Sequence, residues 1–215
     1  DIPEPAMEVI RERCAQTGAR LITPDRSELE ILEKPGLRGS RFRYRGQEYR
    51  LNLGGAYQVT NALTAIETLT CAGVTPAHIA MGIERARIPA RMELLPGDIL
   101  LDGGHNPQAA RAVRSALEDS GYERRTAFIG MMNTKDHRAF LQEILPCFDR
   151  VYFCDGFSEG EVPAEELRRI SGLDGADIFH SPREALKFAR RDREGGLMYF
   201  GGSFYFAAAV REYLV

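Results

Sequence analysis

Apolar and polar positions follow one rhythm in the first 88 residues and another in the rest of the chain. Residues 6–17 have the spacing of a short amphipathic helix closed by Gly18, and RLIT (20–23) reads as a strand. SRFRYR and EYRLNL flank Gly46 as two alternating runs, which predicts a hairpin with Phe42 and Tyr44 facing Tyr49 and Leu51. QVTNALTAIETLTCAG (58–73) is strongly helical, with Ala62, Ala65, Ile66 and Leu69 on one face and Gly73 as its stop. Thr75-Pro76 opens a further helix that runs to about Arg85.

After residue 90, short apolar runs alternate with helical ones. Strands are predicted at 98–102, 125–130, 149–154, 176–179 and 197–201, each followed by a helix. Pro107 suits a first helical position with Asn106 as the cap, and Ser181-Pro182-Arg183-Glu184 reads as a capping box. Alternation of this length predicts βαβ units, hence an α/β fold with a doubly wound, mainly parallel sheet covered by helices on both faces. The chain therefore divides into a mixed region, 1–88, and a compact α/β region, 89–215, with RIPAR (87–91) as the joint.

Composition changes this picture little. The chain has 215 residues, 44% hydrophobic and 27% charged, with a net charge of -3. That is an ordinary globular balance, and it gives no reason to expect nucleic acid or a membrane surface as a partner. No apolar run approaches the roughly 20 residues needed to span a bilayer. The cysteines at 14, 71, 147 and 154 form no CxxC and have no histidine at zinc spacing, so they predict reduced, packing thiols, a cytoplasmic protein and no metal site. The N-terminus lacks an initiator Met, which suggests a fragment or processed product.

The chemistry concentrates where strands turn into helices. In ILLDGGHNPQAARAV, Asp102 ends a strand, His105 lies in the turn and Asn106 starts the helix. Ligands bind at the carboxyl ends of strands in doubly wound sheets, and helix-start amides favour anions. An aspartate there can accept ribose hydroxyls, and a histidine can donate to a phosphate or acyl oxygen. The same residues also suit a capped turn in which Gly103 and Gly104 supply only freedom. GMMNTKDHRAF offers Lys135 for a phosphate and Asp136 as a helix cap, or simply a capped turn. FGGSFYF repeats the device, with Ser203 as a cap. Arg91 at the joint could neutralise phosphate charge in a cleft, or be a surface residue. Asn61, on the best helix of the first region, is on pattern alone a solvated position. His78, His137 and His180 join no constellation. A GxGxxG is absent, which counts against a dinucleotide oxidoreductase. A non-catalytic doubly wound binding module remains an alternative.

Taken together, LGGAYQVTNALTAIETL, IPARMELLPGDILLDGGHNPQAARAV, GMMNTKD and FGGSFYF resemble the folylpolyglutamate synthase/dihydrofolate synthase branch of the Mur ligase superfamily. The resemblance covers residues 52–206. It implies an ATP- and Mg²⁺-dependent ligase that joins L-glutamate to a folate or dihydropteroate carboxylate through an acyl phosphate. Other Mur-type amino-acid ligases stand beside it. By motif, Asn61 and Arg91 would contact ATP phosphates, Asp102 would hold the ribose, and His105 would sit at the phosphates and the reacting centre. Ser203 would meet the incoming glutamate, and Lys135 and Asp136 match the KD element. Departures are Tyr57 where the family has His, Ala90 within the PGR motif, and Gly103-Gly104 in place of GA or VA. The chain has no GxxxxGK[ST]. The resemblance therefore implies that residues 1–88 are the end of an ATPase domain and 89–215 the Rossmann-like Mur ligase C-terminal domain. The phosphate loop and the magnesium ligands would lie in a preceding half, without which the chain would be inactive.

Overall fold

The computed structural model describes residues 2–191 and 196–214. Helix α1 (Glu4–Thr17) comes first and ends on Gly18 in the left-handed conformation. Strands β1 (Leu29–Gly36), β2 (Gly39–Tyr44) and β3 (Gln47–Leu51) form an antiparallel sheet in chain order. The hairpin is as its alternation predicts: Phe42 pairs with Tyr49 and their rings stack at 5.4 Å. Its inner face packs on α2 (Tyr57–Cys71) and α3 (Pro76–Arg85) through Phe42, Tyr49, Leu51, Val59, Leu63 and Ile79.

Two expectations fail here, and one strand was not foreseen. RLIT makes no strand, because no neighbouring strand offers it a ladder. The strand at 29–36 was not foreseen: its residues alternate only in part. Helix α2 ends where Gly73, at φ 81°, stops it as expected, and Ala62 and Ile66 are buried with Val59 and Leu63, but Leu69, expected on the same face, is 37% exposed.

The second sheet has six strands in the order β4-β5-β9-β6-β7-β8. These are β4 (Glu93–Leu95), β5 (Ile99–Asp102), β6 (Arg125–Ile129), β7 (Arg150–Cys154), β8 (Ile178–Phe179) and β9 (Leu197–Gly201). All pairs are parallel except β4–β5. Side chains alternate across the sheet, and the two sets meet different helices. Leu100, Ala127, Ile129, Phe153 and Tyr199 pack on α4 (Pro107–Glu118), α5 (His137–Ile144) and α6 (Ala164–Ser171). Leu101, Phe128, Met198 and Phe200 pack on α7 (Pro182–Arg191) and α8 (Phe204–Arg211). Burial on both faces is why these strands read as continuous apolar runs. The short strand β4, missed in the sequence, is the antiparallel edge.

Leu37, in the turn between β1 and β2, and Met92, at the joint, both enter the core of the second sheet. The two regions thus meet along the joint, beside the end of β5. Four cysteines are free thiols, two of them buried. Among the described residues, no helix is long and apolar enough to cross a membrane.

Candidate functional site

Asp102 pairs in register with Gly201, and Gly201 with Ile129. The turns after β5, β9 and β6 therefore share one edge of the sheet, the edge where parallel sheets take ligands. Asp102 is 3% exposed. Its Oδ2 accepts the Met92 amide at 2.9 Å and its Oδ1 accepts the Gly104 amide at 2.8 Å. Burial pushes its carboxyl above the ordinary carboxylate range, against the pull of those two amides and of the Arg91 charge. Each oxygen retains a lone pair for a further donor.

Both glycines of the turn are required by close approach. A Cβ on Gly103 would fall 2.2 Å from the Phe204 ring, and one on Gly104 would fall 2.5 Å from Asp102 Oδ1. The Gly103 amide reaches back to the Ala90 carbonyl at 2.7 Å, which ties the turn to the joint. There, Ala90 and Met92 adopt φ values of 54° and 44°, a region that costs a side-chain-bearing residue about 1 kcal/mol or more. Glu93 holds this strained pair by accepting the Ala90 amide at 2.9 Å and by pairing with Arg211 at 3.0 Å. The outcome is the placement of Arg91, whose guanidinium lies 4.3 Å from the centre of the Phe204 ring.

A cleft of about 380 Å³ opens at this point, lined by Tyr57, Asn61, Arg91, Met92, Asp102 and Gln108 among others. Asn61, Arg91 and Asp102, picked separately in the sequence, are thus brought together from helix α2, the joint and the end of β5. Asn61 is exposed and donates to Gln58 Oε1 at 2.9 Å. Tyr57 was noted in the sequence only as a departure from the family's histidine. It lines the cleft, and burial together with the nearby Asp102 charge pushes its phenol up to about 12. Gln108 and Thr60 also line it. The signal for them lay in their spacing from Asn106 and Asn61.

Asn106 also lines the cleft, whereas His105, Ser203, Lys135 and Asp136 are not among its lining residues. His105 Nδ1 donates to the Gly103 carbonyl at 3.1 Å, and its ring meets Phe204 edge-on at 6.4 Å. In the neutral tautomer this leaves Nε2 as an acceptor. Asn106 caps α4 by accepting the Ala109 amide at 2.8 Å. Ser203 caps α8 by accepting the Tyr205 amide at 3.1 Å, and it is 2% exposed. Asp136 caps α5 by accepting the Ala139 amide at 3.0 Å, beside the exposed Lys135, one strand further along the edge. Phe204, which touches Gly103, Arg91 and His105, was not singled out in the sequence. Its place directly after the Ser203 cap was the available signal.

The strained joint thus sets an arginine and a strand-end aspartate into one cleft on the carboxyl edge of a doubly wound sheet, the edge where such folds take ligands. A family model described as "Mur ligase, glutamate ligase domain" matches residues 90–204, more than half the chain. The chain belongs to that family. It is 28% identical over 233 residues to the folylpolyglutamate synthase of Lacticaseibacillus casei, which covers 100% of this chain and 52% of the relative. It is 34% identical over 119 residues to a probable bifunctional folylpolyglutamate synthase/dihydropteroate synthase of Halobacterium salinarum, covering 54% of this chain and 14% of the relative. The fold is that of Mycobacterium tuberculosis folylpolyglutamate synthase, solved with ADP and AMPPCP: the TM-score is 0.83 at 22% identity, over 97% of this chain and 52% of the other. The chain thus spans about half the length of the folylpolyglutamate synthases it matches.

Proposed function

We propose that this chain is one part of an ATP-dependent ligase that adds L-glutamate to a folate or dihydropteroate carboxylate. In that reaction the carboxylate takes the γ-phosphoryl group of ATP, releasing ADP. The glutamate amine then displaces phosphate from the acyl phosphate. The observation that carries the reading is the gathering of Asn61, Arg91 and Asp102 in one cleft. Its support is family membership, together with a fold shared with enzymes solved with adenine nucleotides.

Arg91 would bring a fixed planar cation to the phosphates, and Asn61 neutral donors. Asp102 would accept ribose hydroxyls on its remaining lone pairs. His105, as imidazolium, would donate from Nε2 to charge developing at the reacting centre, its ring oriented by the Nδ1 bond to the Gly103 carbonyl. Mg²⁺, when bound, would neutralise triphosphate charge. The cleft's one carboxylate, Asp102, already accepts two backbone amides, so its residues do not fit a magnesium set and no step is assigned to the metal here. We place the phosphate loop, the magnesium ligands and the pterin contacts in a preceding half of the same protein. Within this division, residues 1–88 are the tail of an ATPase domain and 89–215 the Mur ligase C-terminal domain. Tryptic cleavage near 86–97 before any cut inside the second sheet would agree with that boundary, and a joint that resists longest would not.

The functional test is glutamate incorporation and ADP release by the full-length protein, with each pterin substrate in turn. Asp102→Ala should raise the KM for ATP. His105→Ala should lower kcat about 10²–10³-fold, the usual effect of losing one donor to developing charge. Wild-type kinetics in both variants would reduce the turn to a capped loop. Activity with a different carboxylate–amine pair alone would move the chain to another branch of the family.

A further inference from the structure

A second cluster of side chains sits on the same sheet edge, roughly 14 Å from Asp102 by strand spacing. It stands at the ends of β7 and β8 and in the first turn of α6, and the cleft does not involve it. Asp155 directly follows β7, and its amide donates to the Phe179 carbonyl of β8 at 3.0 Å. His180 directly follows β8. Its Nδ1 donates to Asp155 Oδ1 at 2.9 Å, and its Nε2 lies 3.8 Å from Glu165 Oε1. One ligand atom from each of the three residues lies within 4.8 Å of the others.

A simple histidine–carboxylate pair needs one acid. Here two carboxylates stand at the two nitrogens of one ring, and Glu184 adds to the negative field at His180. Asp155 is also braced from behind, since its Oδ2 accepts the Ala164 amide at 2.8 Å. Such outer support is what ligating carboxylates carry. The neighbouring Glu161 is a different case: its carboxylate accepts the amides of Gly156, Phe157 and Ser158, which leaves it committed to its own loop. The three donors thus come from two paired strand ends and a helix start.

We propose that Asp155, Glu165 and His180 form a site for one divalent transition-metal ion of the zinc class. An imidazole nitrogen and two carboxylate oxygens, with water completing the shell, suit such an ion. Mg²⁺ and Ca²⁺ prefer all-oxygen sets. The site is structural in purpose. It closes the base of loop 156–163, and that loop holds the turn bearing Lys135: the Val162 amide donates to the Met131 carbonyl at 2.8 Å and the Asn133 amide to the Gly160 carbonyl at 3.0 Å. A bound ion would stiffen the Lys135 turn from behind without touching the cleft.

The test is calorimetric titration of Zn²⁺ into this chain with its thiols kept reduced, followed by amide hydrogen exchange. The expected result is one site of micromolar affinity, with slower exchange at Val162 and Asn133. Glu165→Gln should weaken it about tenfold or more, and His180→Ala should abolish it. Glu165 is exposed on the first turn of α6, so Glu165→Gln keeps the test valid should His180→Ala fail to fold. Zinc affinity unchanged in Glu165→Gln, no zinc binding at all, or equal affinity for Mg²⁺ would each overturn the proposal.

Discussion

The two sheets show what burial on one face and on two faces do for a chain. In the six-stranded sheet, every residue of β5 and β9 is buried, and the aromatic rings of Phe128 and Phe200 stack at 4.6 Å in its middle. In the three-stranded sheet only one side is covered, and β1 is exposed at half its positions. Helix α1 buries none of its residues. Exposed apolar side chains also concentrate in the first region: Ile2, Val9, Leu21, Ile31, Leu69, Met81 and Ile88. Stability in this molecule is therefore unevenly placed, and the cleft lies along the joint of the unequal parts.

The largest expected effect is in the second sheet. Phe128→Ala should destabilise the protein by about 3–5 kcal/mol, the range for deleting a buried aromatic ring. Val9→Ala on α1 should stay within about 0.5 kcal/mol, as for ordinary surface positions. Chemical denaturation of both variants checks the contrast, and comparable losses would break it.

A smaller effect should appear at the joint. Gly103→Ala puts a methyl group against the Phe204 ring, an overpacking that costs about 1–3 kcal/mol. If the ring is the obstacle, the loss should shrink when Phe204→Ala is added, a coupling that a double-mutant cycle reads directly. Additive losses would mean that the backbone, not the ring, demands glycine.

The smallest effect concerns pH. The native carboxyl of Asp102 is raised by burial, so its ionised form costs stability relative to the unfolded chain. Its favourable contribution is full below the ordinary aspartate range and is lost as pH rises through the raised native value. The melting temperature of the wild type, minus that of Asp102→Asn, should therefore be larger in mild acid than at neutrality. A difference that grows with rising pH would show the carboxylate to be stabilised by its amides and by Arg91 instead.

Much of the second region was legible because most of its strands are short apolar blocks followed by a helix, as with Asp102, Asn106 and Pro107. The edge strand β4 was not: three residues between the left-handed Met92 and Asp98 are too few to show a period. Nor was β1, whose charged side chains face solvent through most of its length. RLIT misled because an apolar run shows its pattern but not whether a partner strand exists. At the site, Asn61, Arg91 and Asp102 could be chosen by residue type and motif, but only the fold shows that they share a cleft. Phe204 escaped notice because its work is contact with Gly103 and Arg91, far away in sequence. His180 was set aside for the same reason: its acidic neighbours come from residues 155 and 165, and only the parallel pairing of β7 with β8 brings them together.

A titration of ATP with Mg²⁺ into this chain, followed residue by residue by NMR, tests whether the cleft takes the nucleotide. Weak binding is expected, with a Kd of about 1 mM (roughly -4 kcal/mol). Shifts should gather at Tyr57, Asn61, Arg91, Asp102 and Gln108, and Arg91→Ala should weaken the binding several-fold. Binding that maps elsewhere, or that Arg91→Ala leaves unchanged, would contradict the assignment of this cleft to the nucleotide.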